Sequence, residues 1–273
     1  MDTQILVIYC ITDDFLKAMP HYQDPQQKMT DAEMITTALV AMLYFGGNFD
    51  HARRLLAAPH FMPQMLSRSR FNRRLHRLQY PLQQLFLLLA QQFQSANPQG
   101  YYVIDSFPVA VYDNIRIRRC KIYQEEQYRG YTASKKRYFY GLKIHLCVTA
   151  SGQPVEFFLT PGSFADVQAL DDFALALAAN STLYADKAYN DYGFEDRLQE
   201  DAGIALQPLR KQNAKRQFSG CVQYLQQKRR KIVETSGSLI NRLLPKSIHA
   251  VTARGFELKI ALFVIAFAFN CAF

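Results

Sequence analysis

The chain has 273 residues, 49% of them hydrophobic and 20% charged, with a formal net charge of +9. That length allows one large domain or two ordinary ones, and that composition excludes global disorder. The positive charge favours a polyanionic partner, nucleic acid first and an anionic membrane surface second.

The opening MDTQILVIYC has an acid at position two and no basic flank, so it does not read as a signal peptide. Residues 1 to about 97 read as helical. Thr30 followed by Glu33 is a capping-box pattern, and Met34, Ile35, Ala38, Leu39, Met42 and Leu43 recur behind it at helical spacing. Gly46-Gly47 should end that helix, a short one follows over 51–57, and Pro59 and Pro63 mark a loop. In SRSRFNRRLHRL, residues 67–78, the apolar stripe is Phe71, Leu75 and Leu78, and arginines cover the rest. The pattern resembles a helix-turn-helix-type module that would lay Arg70, Arg73, Arg74 and Arg77 on DNA. A solvated basic face on a helical bundle would carry the same residues. A long apolar helix over 81–94 ends the region. The stretch SANPQG, residues 95–100, marks a boundary, so a helical domain over 1–97 and a second domain over 98–273 are expected.

Beyond it the pattern turns to strands. YYVIDSFP, residues 101–108, favours a strand whose end should carry Asp105, with Pro108 ending regular pairing. Residues 113–137 form a basic excursion with Arg116, Arg118, Arg119, Lys121, Arg129, Lys135, Lys136 and Arg137 and no long apolar run. Strands over 138–149 and 154–160, turned at Ser151-Gly152, make a hairpin. Asp166 is placed to cap a helix over 167–179. A strand over 182–185 runs into Asp186, followed by a helix over 192–201 and a strand over 204–208. A helix over 220–243 carries Glu234 behind a segment rich in Lys and Arg. The closing helix, 251–269, contains an apolar run of ten residues from Ile260 to Phe269. A membrane span needs about 20, so a core helix and no membrane contact are expected. The scattered cysteines, without CxxC or a Cys/His ladder, suggest neither disulfides nor structural zinc and fit a reducing cytoplasm.

An acid at the carboxyl end of a buried strand is a poor structural residue and a good metal ligand. Neighbouring strand ends lie about 5 Å apart, so Asp105 and Asp186 could share an ion, and a helix across the sheet could add Glu234. Phosphodiester cleavage needs an activated attacking oxygen and a stabilised leaving oxygen, which two Mg²⁺ ions supply together. Three carboxylates with no Cys or His suit Mg²⁺, for which Mn²⁺ can substitute, better than zinc. Spacing alone does not select these three. Asp166, Asp171, Asp172, Asp191, Glu195, Asp196 and Glu200 compete, and Glu234 could simply pair with Arg230 one helical turn away.

The segments VIDSFPV, RYFYGLKIHL, LTPGSFADVQAL, LYADKAYND and RRKIVET, with the later HAVTARGFELKI, resemble in this order a bacterial insertion-sequence transposase of the DDE class, closest to insertion-sequence family 982. The resemblance covers nearly the whole chain. It implies an α/β, ribonuclease-H-like mixed sheet with flanking helices after an all-α N-terminal domain, and catalytic and metal-binding roles for Asp105, Asp186 and Glu234. Related families carry a Tyr-Arg-Glu-Lys signature about the last acid. Arg230 matches its Arg, whereas Gln227 and Asn241 stand at the Tyr and Lys positions.

The expected activity is Mg²⁺-dependent cleavage and joining of double-stranded DNA at the element's terminal inverted repeats and at a target, by a homodimer in the bacterial cytoplasm. Lys143 and His145 share a strand face and could touch the scissile phosphate or hold an aspartate; as solvent-facing residues they would look the same. Lys187, Lys211, Lys215, Arg216, Arg229, Arg230 and Lys231 are further candidates for DNA backbone contact. Tyr189 and Phe194 could stack on an unpaired base, though core packing is the better reading. A nuclease that cuts without joining and a non-enzymatic DNA-binding protein are the alternatives.

Overall fold

The computed structural model describes residues 1–20, 22, 24–113, 121–132 and 136–272. In chain order its elements are α1 (Asp2–Ala18), α2 (Asp31–Phe45), α3 (Phe49–Leu56), α4 (Arg68–Leu75), α5 (Gln79–Ser95), β1 (Tyr101–Asp113), β2 (Arg129–Thr132), β3 (Arg137–Thr149), β4 (Pro154–Pro161), β5 (Thr182–Ala185), α6 (Tyr192–Ala202), β6 (Ala205–Pro208), α7 (Gly220–Leu243) and α8 (Ala253–Ala272). The chain forms two compact units. One joins Met1–Leu89 to Ile240–Phe273, and the other is Ala90–Leu239.

The helical unit is built around α2, whose residues are apolar on nearly every side and buried from Ala32 to Met42 apart from Glu33. Its N-terminus closes in the expected capping box, with Thr30 accepting from the Glu33 N–H and Glu33 accepting in return. Gly46 ends it in the left-handed conformation, at φ 53°. The chain's last helix belongs to this unit, and not to the sheet as a boundary at 97/98 would have it. α8 is buried from Ile260 to Phe269 except for the half-buried Ala261, and Phe263 lies against Gly47 beside Met42. An all-round apolar helix needs apolar neighbours on every side, and α2 supplies them. By length and composition α8 is also the one helix among the described residues that could cross a membrane, but most of it is buried within the fold.

The second unit is a mixed six-stranded sheet ordered β2-β3-β1-β5-β6, with β4 on β3 as well. β2 and β4 pair with opposite ends of β3, which runs antiparallel to both and to β1; β5 and β6 run parallel to β1. The expected hairpin is present, turning at Gly152 with φ 83°. β1 is longer than expected. It passes through Asp105 and Pro108 and stays paired with β3, whereas its pairing with β5 stops at Val103. From there on, among the described residues, β1 has a neighbour on one side only, and an edge tolerates the missing N–H of Pro108.

The helix expected over 167–179 is absent. A short 3-10 turn spans Gln168–Asp172, and the chain then runs irregularly. Tertiary contacts override the helical pattern here. The Glu156 carboxylate of β4 accepts from the Ala174 and Leu175 N–H groups, Leu175 has φ 44°, and Phe173 packs edge-on against Phe158. Asp166 caps nothing, because its carboxylate is used elsewhere. Of the basic excursion, β2 and its flanks are described, while Arg116, Arg118, Arg119 and Lys135 lie outside the described residues.

Candidate active site

The parallel register puts Val103 opposite Tyr184. Two residues further along each strand stand Asp105 and Asp186, at the same level, where β5 ends and β1 continues alone. α7 crosses one face of this sheet. Its Gln226 donates to the Gln207 carbonyl of β6 at 3.4 Å, and Ser236 donates to the Gly152 carbonyl of the hairpin turn at 2.8 Å. Gly237 lets the helix approach β1 closely, since a Cβ there would lie 3.2 Å from the Phe107 ring. Phe107 and Asp105 share a face of β1 by the two-residue strand period, so the helix that covers Phe107 also passes over Asp105.

On that helix Arg230 meets all three expected acids. Its Nη2 lies 2.8 Å from Glu234 and 3.8 Å from Asp105, and its Nη1 lies 3.2 Å from Asp186. Glu234 does pair with Arg230 as an intrahelical partner, but the same guanidinium also reaches both aspartates. One positive charge thus stands among three carboxylates. The Arg230 Nε is buried without a hydrogen-bond partner.

Asp105 sits in a strongly perturbing environment. Burial pushes its carboxyl up to about 6, against the opposing effects of the Ser106 N–H and Arg230; Asp186 and Asp166 push it further up. The Ser106 N–H donates to Asp105 Oδ1 at 2.8 Å and fixes its orientation.

The opposite face of the same strands carries a polar network that sequence patterns did not resolve. The Ser106 hydroxyl donates to Asp166 at 2.8 Å, and Lys143 Nζ bonds Asp166 at 3.1 Å and the Phe164 carbonyl at 2.7 Å. His145 is fully buried between Tyr189 Oη at 3.3 Å and Thr160 Oγ1 at 2.9 Å, stacked on Phe158, and burial lowers its pKa to about 4. Lys143 and His145 do share a strand face, but neither is a solvent-facing residue, and His145 has no exposed surface with which to touch DNA. Tyr189 is equally buried and is a core residue. The one sequence cue to this network is the polar alternation of Ser106, Lys143 and His145 on strands that are otherwise apolar.

Other expected contacts are occupied within the fold. Arg229 lies over the rings of Tyr101 and Tyr184, 4.0 and 4.9 Å from their centroids, and donates to Tyr184 Oη. Arg216 pairs with Asp196 at 2.6 Å, and Arg74 pairs with Asp31 and donates to the Met29 carbonyl and Gln27. Lys187, Lys211, Lys215 and Lys231 are exposed on the sheet unit, and Arg70, Arg73 and Arg77 are exposed on the helical unit. Phe194 is half-buried beside Arg197. The competing acid Glu195 is buried in a pair with Arg210, Asp191 caps α6, Asp171 faces Arg197, and Glu200 is exposed.

Hard carboxylate oxygens from two strands and a helix fit a divalent cation in kind. As the side chains stand, no three His, Cys, Asp or Glu groups among the described residues converge closely enough to ligate one ion; the positive charge among them is the Arg230 guanidinium. Residues 95–249 match a family model described as a transposase DDE domain. No curated protein and no solved structure matches the chain.

Proposed function

The chain belongs to the transposase DDE domain family, which implies a metal-dependent enzyme acting on nucleic acid, and from that premise we propose that it is a DNA transposase of an insertion sequence related to family 982. It binds the terminal inverted repeats of its element and cuts and joins DNA strands with Mg²⁺ or Mn²⁺. The observation that carries this reading is the meeting of Asp105, Asp186 and Glu234, from three separate elements, on one guanidinium. The strand order, an antiparallel β4-β3-β1 meander followed by parallel β5 and β6, supports a ribonuclease-H-like fold for residues 90–239.

In this reading the two aspartates and Glu234 would hold the metal, which would activate the attacking oxygen and stabilise the leaving one. Burial is what raises the Asp105 carboxyl, and a cation held beside it would favour the charged form. Ser106 keeps the carboxylate aimed, and Asp166 with Lys143 anchors Ser106 from the other face. Exposed Lys187, next to Asp186, and Lys231, three residues before Glu234, guide the phosphate backbone. Arg70, Arg73 and Arg77 carry the sequence-independent part of end binding.

The experiment is strand cleavage and joining on a duplex that ends in the element's own repeat. Asp105→Asn, Asp186→Asn and Glu234→Gln should each keep the fold and DNA affinity and lose cleavage by roughly a thousandfold or more, the several kcal/mol a metal site supplies. Turnover within a few-fold of wild type in Glu234→Gln would leave that residue as a surface partner of Arg230 and reopen the choice of third acid. Cleavage without joining would make the protein a nuclease of the same fold.

A further inference from the structure

We propose that Arg230 is the built-in cation of the acid cluster: its guanidinium holds the three carboxylates together, a divalent ion displaces it, and the freed arginine turns to a DNA phosphate. The inference rests on the assignment of Asp105, Asp186 and Glu234 as the metal-binding acids.

Three observations carry it. Arg230 is the one cation paired with these acids among the described residues, and it is shared by all of them at 2.8, 3.2 and 3.8 Å. Three carboxylates around one guanidinium leave a net charge near −2, so the exchange of a monovalent for a divalent cation is electrostatically favourable. The arginine is also poorly satisfied for a residue so placed. One Nη serves two acids, and the longest contact is beyond hydrogen-bond range. Other arginines of the sheet unit are held more fully. Arg229 is fixed over two tyrosine rings and Arg210 is locked in a buried pair, whereas Arg230 keeps about a quarter of its side chain exposed, an open path to solvent.

Displacement predicts competition between the guanidinium and the metal. Binding of Mn²⁺ to the full-length protein without DNA, followed by electron paramagnetic resonance of the free ion, reads it without any catalytic turnover. Arg230→Gln should bind Mn²⁺ about tenfold more tightly than wild type, because a competing charge within a few ångströms is gone, and Arg230→Lys should fall between them. Asp105→Asn and Glu234→Gln should abolish binding in either background. Circular dichroism of each variant establishes that the sheet unit is folded. Equal or weaker Mn²⁺ binding by folded Arg230→Gln, with Asp105→Asn still abolishing it, overturns the displacement and leaves the metal-site assignment standing. If Asp105→Asn leaves Mn²⁺ binding unchanged, the assignment itself fails and the proposal falls with it. A second readout follows the arginine. Addition of Mn²⁺ should steepen the salt dependence of DNA affinity in wild type by about one phosphate contact, a slope change near 0.9, and should not do so in Arg230→Gln. The same slope change in both proteins overturns the transfer to phosphate.

Discussion

Two arginines of the sheet unit meet carboxylates in opposite ways. Arg210, just beyond β6, is buried with Glu195 of α6. It donates from Nη1 at 2.7 Å and from Nη2 at 2.5 Å, bonds Asn190, and is flanked by the rings of Tyr192 and Phe218. Charge there is matched one to one and geometry is bidentate. Arg230 on α7 faces three acids, satisfies none bidentately, and keeps solvent access. The first centre has what a structural ion pair needs and no room for a ligand. The second carries surplus negative charge at a strand end, which is poor for stability and suited to a cation. The contrast also distinguishes Glu195, matched one to one with Arg210, from Glu234, whose partner is shared with two aspartates, a difference that spacing left open.

The largest effect that would break this contrast is on stability. Arg210→Ala leaves Glu195 buried without a partner and should cost about 3–5 kcal/mol. Arg230→Gln removes a partly exposed charge from a cluster whose acids still reach water, and should cost less than about 1 kcal/mol. Urea midpoints at neutral pH without divalent ions measure both. Comparable losses would mean that Arg230 is as structural as Arg210.

A smaller effect sharpens the account of Asp105. Its folded-state pKa of about 6 lies above the ordinary 3.8, so the folded protein holds this proton to higher pH than the unfolded chain does. Stability is therefore lost as pH rises from about 4 to about 6, and no further above that, by up to about 3 kcal/mol. His145 works the other way. Its pKa, lowered from 6.5 to about 4, means that the unfolded chain binds the proton first, so stability is lost as pH falls through the same window. The two slopes oppose one another in wild type. Asp105→Asn should remove one of them, raising the metal-free midpoint at pH 7 while leaving it nearly unchanged at pH 4. An equal shift at both pH values would place the carboxyl in an ordinary, hydrated environment.

How far the site was legible follows from the same residues. Asp186 and Glu234 fall on the expected elements because a four-residue apolar run and a long helical segment are local signals. Asp105 was expected at a strand end and instead lies within β1. What ends beside it is the neighbouring strand β5, and a neighbour's length is not written in YYVIDSFP. In sequence Asp166 has the position of a helix cap, because an acid before an apolar run usually is one. Its real partners, Ser106 and Lys143, are 60 and 23 residues away, and Glu156 took the N–H groups the helix would have used. Chain periodicity carries secondary structure well, but it does not report which long-range partner outcompetes a local one.

The smallest effect tests the comparison in the helical unit, where arginines again divide into held and free. Arg74 of α4 is tied to Asp31 at the start of α2, to the Met29 carbonyl and to Gln27, and its side chain is largely covered. Arg73, its neighbour, is exposed. If α4 lies on DNA, the two should separate cleanly. Arg74→Ala breaks charge-assisted bonds that anchor one helix on another and should cost about 1–3 kcal/mol of stability. Any loss of DNA affinity in that variant should follow the loss of fold. Arg73→Ala should leave stability within about 0.5 kcal/mol and lower the slope of log affinity against log salt by about 0.9, the signature of one phosphate contact. The slope is the decisive measurement, because an exposed arginine that touches no DNA leaves it unchanged however the affinity drifts. If Arg70→Ala and Arg77→Ala leave the slope unchanged as well, the arginines of α4 form a solvated face. End recognition would then have to come from the sheet unit, where exposed Lys187, Lys211, Lys215 and Lys231 are the first cations to test.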